Sequence, residues 1–258
     1  MTNTAPIGVF DSGLGGISVV NEIHKLMPHE DIIFYGDSAH APYGVRSTKD
    51  VQELSFRVAD HLISQGVKAI VIACNTATSA AAQAMREAYD IPIIGMEPAL
   101  KLACDLGQGE PQHVIVTATP LTLREKKFAN LMQRFSAVHT IEKQPCPKLV
   151  EIVEKGEIGN ADLVNATLRE YMDHYDMNSV NSIVLGCTHF TYYHDYFRQI
   201  LPEHVTIVDG NEGTARHLQE VLAQRDALTD STDKGLITLD NSSDDQRMLA
   251  LSESFVQR

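Results

Sequence analysis

The sequence predicts an α/β protein made of two similar halves, each a mostly parallel sheet flanked by helices, with a site in the cleft between them. Three observations carry this. Short apolar runs alternate with segments of helical periodicity almost from end to end, the pattern of doubly wound parallel sheets. Two of these runs, Ala69-Ile70-Val71-Ile72-Ala73 and Ile183-Val184-Leu185-Gly186, are continuously apolar, as buried parallel strands are,. Each delivers a cysteine, Cys74 or Cys187, followed by hydroxyl or amide side chains, and the two lie 113 positions apart, about the size of one small α/β unit. The ends of parallel strands are where such sheets place their ligands, and free N–H groups at a helix start favour anions there.

Taken in order, Ile7–Phe10 is a first strand running into Asp11-Ser12-Gly13-Leu14-Gly15-Gly16 and a helix from Ile17. Three glycines in four positions permit close backbone approach. The spacing is not that of a dinucleotide-binding turn. Asp31–Tyr35 is the next strand, and His40-Ala41-Pro42-Tyr43-Gly44 reads as a shaped loop presenting the tyrosine ring. Thr48–Gln65 is a helix with Val51, Leu54, Val58, Leu62 and Ile63 on one face. The Cys74 strand leads into a helix, and Ile91–Pro98 is a strand bounded by prolines. After the helical Leu100-Lys101-Leu102-Ala103-Cys104, a strand at His113–Val116 ends in Thr117-Ala118-Thr119-Pro120-Leu121-Thr122. Helices at Leu123–Phe135, Lys148–Glu157 and Ala161–His174, and a weak strand at Val138–Glu142, precede the Cys187 strand. Thr206–Gly210 is a strand, Asn211–Arg225 a helix, Gly235–Leu239 an edge strand, and Ser243 caps a last helix from Asp244 to Phe255.

The 258 residues are 43% hydrophobic, enough for a sizeable core,. No run approaches the roughly 20 apolar residues of a membrane span. The N-terminal stretch lacks the basic and apolar regions of a signal peptide, so a cytoplasmic location is expected. A net charge of −13 argues against a nucleic-acid surface and disfavours anionic ligands at long range, so a carboxylate site must be favourable locally,. Of the four cysteines, Cys74, Cys104, Cys146 and Cys187, none forms a Cys-x-x-Cys pair, and no metal site is expected,. Cys104 reads as a small buried residue.

Three chemistries fit the paired cysteines. Cys187 and His189 form a nucleophile–base pair of a Cys-dependent amidohydrolase, which leaves Cys74 without a task. Alternatively, both thiols merely line the pocket of a non-catalytic amino-acid-binding module. In the third reading the thiols face one carbon from opposite sides. One takes a proton as thiolate, the other delivers one as thiol, and the centre inverts. A thiol titrates at about 8.5, near enough to neutral for both forms to be accessible.

Four segments, Gly8–Gly16 (GVFDSGLGG), Tyr35–Gly44 (YGDSAHAPYG), Ala73–Thr78 (ACNTAT) and Leu185–Phe190 (LGCTHF), together resemble the glutamate racemase family, which belongs to the cofactor-independent aspartate/glutamate racemase superfamily. An aspartate-type member is the alternative. The resemblance implies a first domain of residues 1–97 plus 208–258 and a second of 98–207. It implies that Cys74 deprotonates D-glutamate and Cys187 L-glutamate, with Asp11 assisting the first and His189 the second. A family acid falls after Cys146-Pro147, and spacing to Cys187 favours Glu154 over Glu151. The implied substrate contacts are Asp11, Ser12, Tyr43, Gly44, Asn75, Thr76, Thr119, Thr122, Thr188 and His189. None is lysine or arginine, so hydroxyls and helix N-termini would hold the carboxylates. No cofactor is expected, the partner is the small-molecule substrate, and the expected assembly is a homodimer. D-Glutamate from such an enzyme feeds peptidoglycan synthesis. After Cys187-Thr188-His189 the sequence departs from the usual family pattern and reads Phe190-Thr191-Tyr192-Tyr193.

Overall fold

The computed structural model describes residues 4–257. The first half begins with β1 (Ile7–Asp11), α1 (Ile17–Leu26), β2 (Ile32–Gly36), α2 (Thr48–Ser64), β3 (Ala69–Ile72), α3 (Asn75–Ala88) and β4 (Ile93–Gly95). The chain then builds α4 (Ala99–Asp105), β5 (His113–Ala118), α5 (Pro120–Arg124), α6 (Lys126–Phe135), β6 (Thr140–Pro145), α7 (Pro147–Glu154), α8 (Ala161–Met172), β7 (Ser182–Leu185), α9 (His194–Ile200) and β8 (Thr206–Val208). It returns through α10 (Asn211–Gln224), β9 (Ile237–Asn241) and α11 (Gln246–Phe255). One sheet has the order β4-β3-β1-β2-β9, the other β6-β5-β7-β8, and the paired strands are parallel throughout.

Burial explains the strand patterns. Central β1, β3 and β7 are buried at every position, because helices cover both faces,. Strand β2 alternates buried with half-buried residues beside the edge. One apolar cluster runs from the inner face of the first sheet, through α1 and α10, to α7, α8 and the inner face of the second. Separate clusters line the α2–α3 side of the first sheet and the α4–α6 side of the second, the latter including Cys104 as expected. Each fully buried Val, Leu or Ile in these layers is worth roughly 1.5–3 kcal/mol relative to exposure.

Register fixes the site. Phe10 lies opposite Ile72, so Ser12 and Cys74, each two residues on, reach the same edge of the first sheet. Thr117 lies opposite Leu185, which brings Thr119 and Cys187 to the matching edge of the second.

Several expected elements differ. The helix expected at Leu123–Phe135 starts earlier and is broken. Thr119 accepts the Thr122 N–H and Pro120 opens α5, while Glu125 takes an extended backbone that separates α5 from α6,. The last helix is capped by Asp245, which accepts the Arg247 N–H, and Ser243 instead accepts the Asp245 N–H. The strand expected at Ile91–Pro98 shrinks to Ile93–Gly95, since neither flanking proline can donate to the ladder,. Ile63, expected on the apolar face of α2, is only half-buried.

Candidate active site

Cys74 ends β3 and caps α3: its sulfur accepts the Ala77 N–H at 3.4 Å and lies 3.7 Å from the Ser12 hydroxyl. The thiol is buried. Burial, and then the nearby Asp11 charge, push its pKa well up, against the Ala77 N–H and Ser12. Cys187 is buried at the end of β7, but no α-helix follows it directly. A 3-10 turn, Thr188–Tyr193, precedes α9. That turn brings the His189 Nδ1 to 3.7 Å from the Cys187 sulfur, a meeting that i,i+2 spacing alone does not foretell. The thiols are near enough for the charge of one to act on the other.

His189 joins the two walls. Its Nε2 lies 2.6 Å from Glu154 Oε1, and its Nδ1 lies 4.0 Å from Asp11 Oδ2. Burial alone would lower its pKa. Hydrogen bonds to Cys187 and Glu154, and the charge of Asp11, outweigh that and raise it well above 6.5. Glu154 Oε1 also accepts the Leu14 N–H at 2.7 Å. Glu151, the other candidate acid, is solvent-exposed and ion-pairs with Lys155.

Asp11 is wholly buried. One oxygen accepts the Gly16 N–H at 3.0 Å, and the other, Oδ1, accepts no hydrogen bond among the described residues. Burial lifts its pKa above the usual carboxylate range, partly offset by His189. The glycine loop must pass close to these groups. A Cβ at Gly13 would come within 2.1 Å of Glu154 Oε1, and one at Gly15 within 2.3 Å of His189 Nδ1.

Thr76, at the start of α3, meets Thr119 and Thr122 from α5 in a triangle of hydroxyls 2.9, 3.1 and 2.9 Å apart. Gly44 packs so tightly on Thr119 that a Cβ would lie 2.5 Å from the threonine Cβ. Thr188 is buried beside His189, and Asn75 is half-buried at the first position of α3.

The Tyr43 ring lies inside the structure, near enough to Cys74 and Asp11 for their charges to act on its hydroxyl. It is fully buried, and its hydroxyl donates to Asp37, whose other oxygen meets His40. The Asp37 N–H in turn donates to the Asp11 carbonyl. Asp37 carries no feature in the sequence that marks it as the anchor of this loop.

A cavity of about 380 Å³ touches Asn75, Thr122 and Gly186 but neither thiol. Among the described residues, no group of three His, Cys, Asp or Glu side chains is placed to hold a metal ion. No described helix is long and apolar enough to cross a membrane.

Comparison with known proteins places this arrangement. The Asp/Glu/hydantoin racemase family matches residues 7–218. A glutamate racemase of Bifidobacterium animalis subsp. lactis is 59% identical over 258 residues, covering 100% of both chains. A crystal structure of the Francisella tularensis glutamate racemase in complex with D-glutamate superposes with a TM-score of 0.84 at 29% identity, covering 99% of this chain and 94% of that one. A Bacillus anthracis glutamate racemase gives 0.87 at 28% identity, over 98% and 94%. Two parallel sheets that each end in a buried cysteine, and similarity along the whole length, lead to one conclusion: the chain belongs to the Asp/Glu/hydantoin racemase family, among its glutamate racemases.

Proposed function

We propose that this protein interconverts L- and D-glutamate without a cofactor, using Cys74 and Cys187 as opposed proton-transferring groups. The observation that carries the reading is the pair of buried thiols at facing strand ends, each with its own polar partners. For L-glutamate, Cys187 removes the α-proton as thiolate and Cys74 protonates the opposite face as thiol. The D-enantiomer runs the same path in reverse. The two sulfurs have unlike neighbours: burial raises the Cys74 pKa, whereas Cys187 has the His189 Nδ1 beside it,.

Binding follows from the same groups. The substrate ammonium supplies the hydrogen-bond donor that Asp11 Oδ1 otherwise lacks,. The carboxylates rest on N–H groups at Asn75 and Thr76, on the Thr76, Thr119, Thr122 and Thr188 hydroxyls, on Ser12, and on the backbone of Tyr43 and Gly44. Glu154 orients His189 through its short hydrogen bond. This reading treats residues 1–97 plus 208–258 and 98–207 as two domains closing on the substrate, in a cytoplasmic homodimer that supplies D-glutamate for peptidoglycan.

The test is to incubate the purified protein with L-glutamate, without pyridoxal phosphate, and follow optical purity by chiral chromatography. An equal mixture of enantiomers is expected. Retained optical purity overturns the enzyme reading. Amide hydrolysis dependent on Cys187 but not Cys74 would replace it with the amidohydrolase, and comparable turnover of aspartate would move the protein to the aspartate branch.

A further inference from the structure

Tyr192 stands in the stretch that departs from the usual family pattern, three residues after His189. Its hydroxyl donates to the Leu14 carbonyl at 3.1 Å. The Leu14 N–H donates to Glu154 Oε1, the same oxygen that meets His189 Nε2. Both backbone polar groups of Leu14, in the loop that follows Asp11, are therefore gripped by side chains from the Cys187 half. The flanking glycines leave the loop little freedom, since it lies against Glu154 at Gly13 and against His189 at Gly15. Behind Tyr192, its ring stacks on Phe255 of α11, with centroids 4.3 Å apart and planes 25° from parallel. The end of α11 is tied down by Asn21, whose side chain donates to the Phe255 carbonyl at 2.9 Å. Burial, with the charges of Asp11 and Glu154, pushes the phenol's pKa well up, so it remains a donor across the working pH range.

We propose that Tyr192 is a positioning residue: its hydroxyl holds the Leu14 carbonyl, fixes the glycine loop against the His189–Glu154 pair, and so governs proton transfer at Cys187 more than at Cys74. Hydrogen bonds through Leu14, Glu154 and His189 link the hydroxyl to the Cys187 sulfur, on the same turn that carries Tyr192. Cys74 instead has the Ser12 hydroxyl and the Ala77 N–H as partners, and among the described residues Tyr192 hydrogen-bonds to neither. The proposal rests on the two-thiol reading above.

Tyr192→Phe removes the hydroxyl and keeps the stacked ring. Phe255→Leu keeps the hydroxyl and removes its backing. For each variant and the parent, kcat, KM and the primary isotope effects with α-deuterated L- and D-glutamate are measured. In Y192F, kcat/KM should fall about tenfold, equivalent to about 1.4 kcal/mol, within the range for one lost hydrogen bond, while KM stays within about twofold. The isotope effect should rise for L-glutamate, whose proton Cys187 removes, and fall for D-glutamate. F255L should shift both isotope effects the same way by less. Unchanged kinetics, or lost activity with both isotope effects unmoved, would overturn the proposal, because a smaller folded fraction cannot alter an isotope effect. Should Y192F fail to fold, F255L decides by the same criterion. Failure of the two-thiol reading shows separately, in a parent enzyme that does not racemise or in single-cysteine variants that exchange both enantiomers.

Discussion

The two cysteine walls occupy equivalent places in their sheets and have unlike surroundings. Cys74 is followed at once by α3, and its sulfur takes the Ala77 N–H in the first turn of that helix. Cys187 is followed by a 3-10 turn and caps nothing. Its neighbour is the His189 ring, which lies beside Glu154 and Asp11. Parallel-sheet topology thus duplicates the position of a thiol without duplicating its chemistry. The residues immediately after each cysteine set that chemistry. Asn75 and Thr76 start a helix, whereas Thr188 opens a 3-10 turn that brings His189 back toward the sulfur. Because the substrates are mirror images, the equilibrium constant is unity and kcat/KM must be equal in both directions. Differences between the walls therefore cannot appear in the ratio of the two kcat/KM values, and isotopic and single-wall experiments reveal them directly.

The largest effect comes from removing one wall's thiol. Cys74→Ala and Cys187→Ala should each lower racemisation in both directions by roughly 10³-fold or more, since inversion needs a base and an opposing acid. In D₂O the Cys74→Ala protein should still place deuterium into L-glutamate slowly without inversion, and not into D-glutamate. Cys187→Ala should show the reverse. NMR on each enantiomer reads this directly, and exchange of both enantiomers by either variant would show that one base serves both faces.

A smaller effect separates the histidine wall from the helix wall. Glu154→Gln should lower kcat/KM roughly 10²-fold, at the lower end for a positioned proton-transfer group, and raise the L-glutamate isotope effect while lowering the D. It also changes stability with a defined sign. His189 has a folded pKa above 6.5, so its ionised form stabilises the fold below that value, and the contribution disappears as pH rises through the raised value,. The gap in melting temperature between the parent and Glu154→Gln should therefore be widest near about pH 6 and close on the alkaline side. A gap that widens as pH rises would mean that His189 is neutral in the folded protein.

Much of this was legible in the residues. Continuous apolar runs marked β3 and β7, and strand-end cysteines marked the site, because burial on both faces leaves an unambiguous pattern. The preference for Glu154 over Glu151 came from spacing, and only Glu154 reaches His189. What periodicity could not reach were contacts made across the chain. The Glu125 break depends on one extended residue between two helical segments. Nothing near Tyr43 in sequence reveals that Asp37 captures its hydroxyl. The Cys187–His189 contact needs a 3-10 turn, whose short hydrogen-bond ladder has no hydropathy signature. Tyr192 meets Leu14 across 178 positions, a separation at which local pattern carries no information.

The smallest expected effect concerns the place where the walls are alike. Thr76 comes from the Cys74 half and Thr119 and Thr122 from the other, and their three hydroxyls form one buried cluster. Thr76→Val removes one hydroxyl at nearly constant volume. No orphaned group results, because Thr119 and Thr122 remain 2.9 Å apart and can pair with each other. The cost is then one exchangeable hydrogen bond to the substrate, about 0.5–1.5 kcal/mol. KM should rise about two- to tenfold for both enantiomers alike, with kcat nearly unchanged and both isotope effects where they were. Such symmetry identifies a carboxylate-holding group that serves both directions equally. A loss confined to kcat, or isotope effects that move apart, would place Thr76 with the proton-transfer machinery of the Cys74 wall and extend the asymmetry to the binding groups as well.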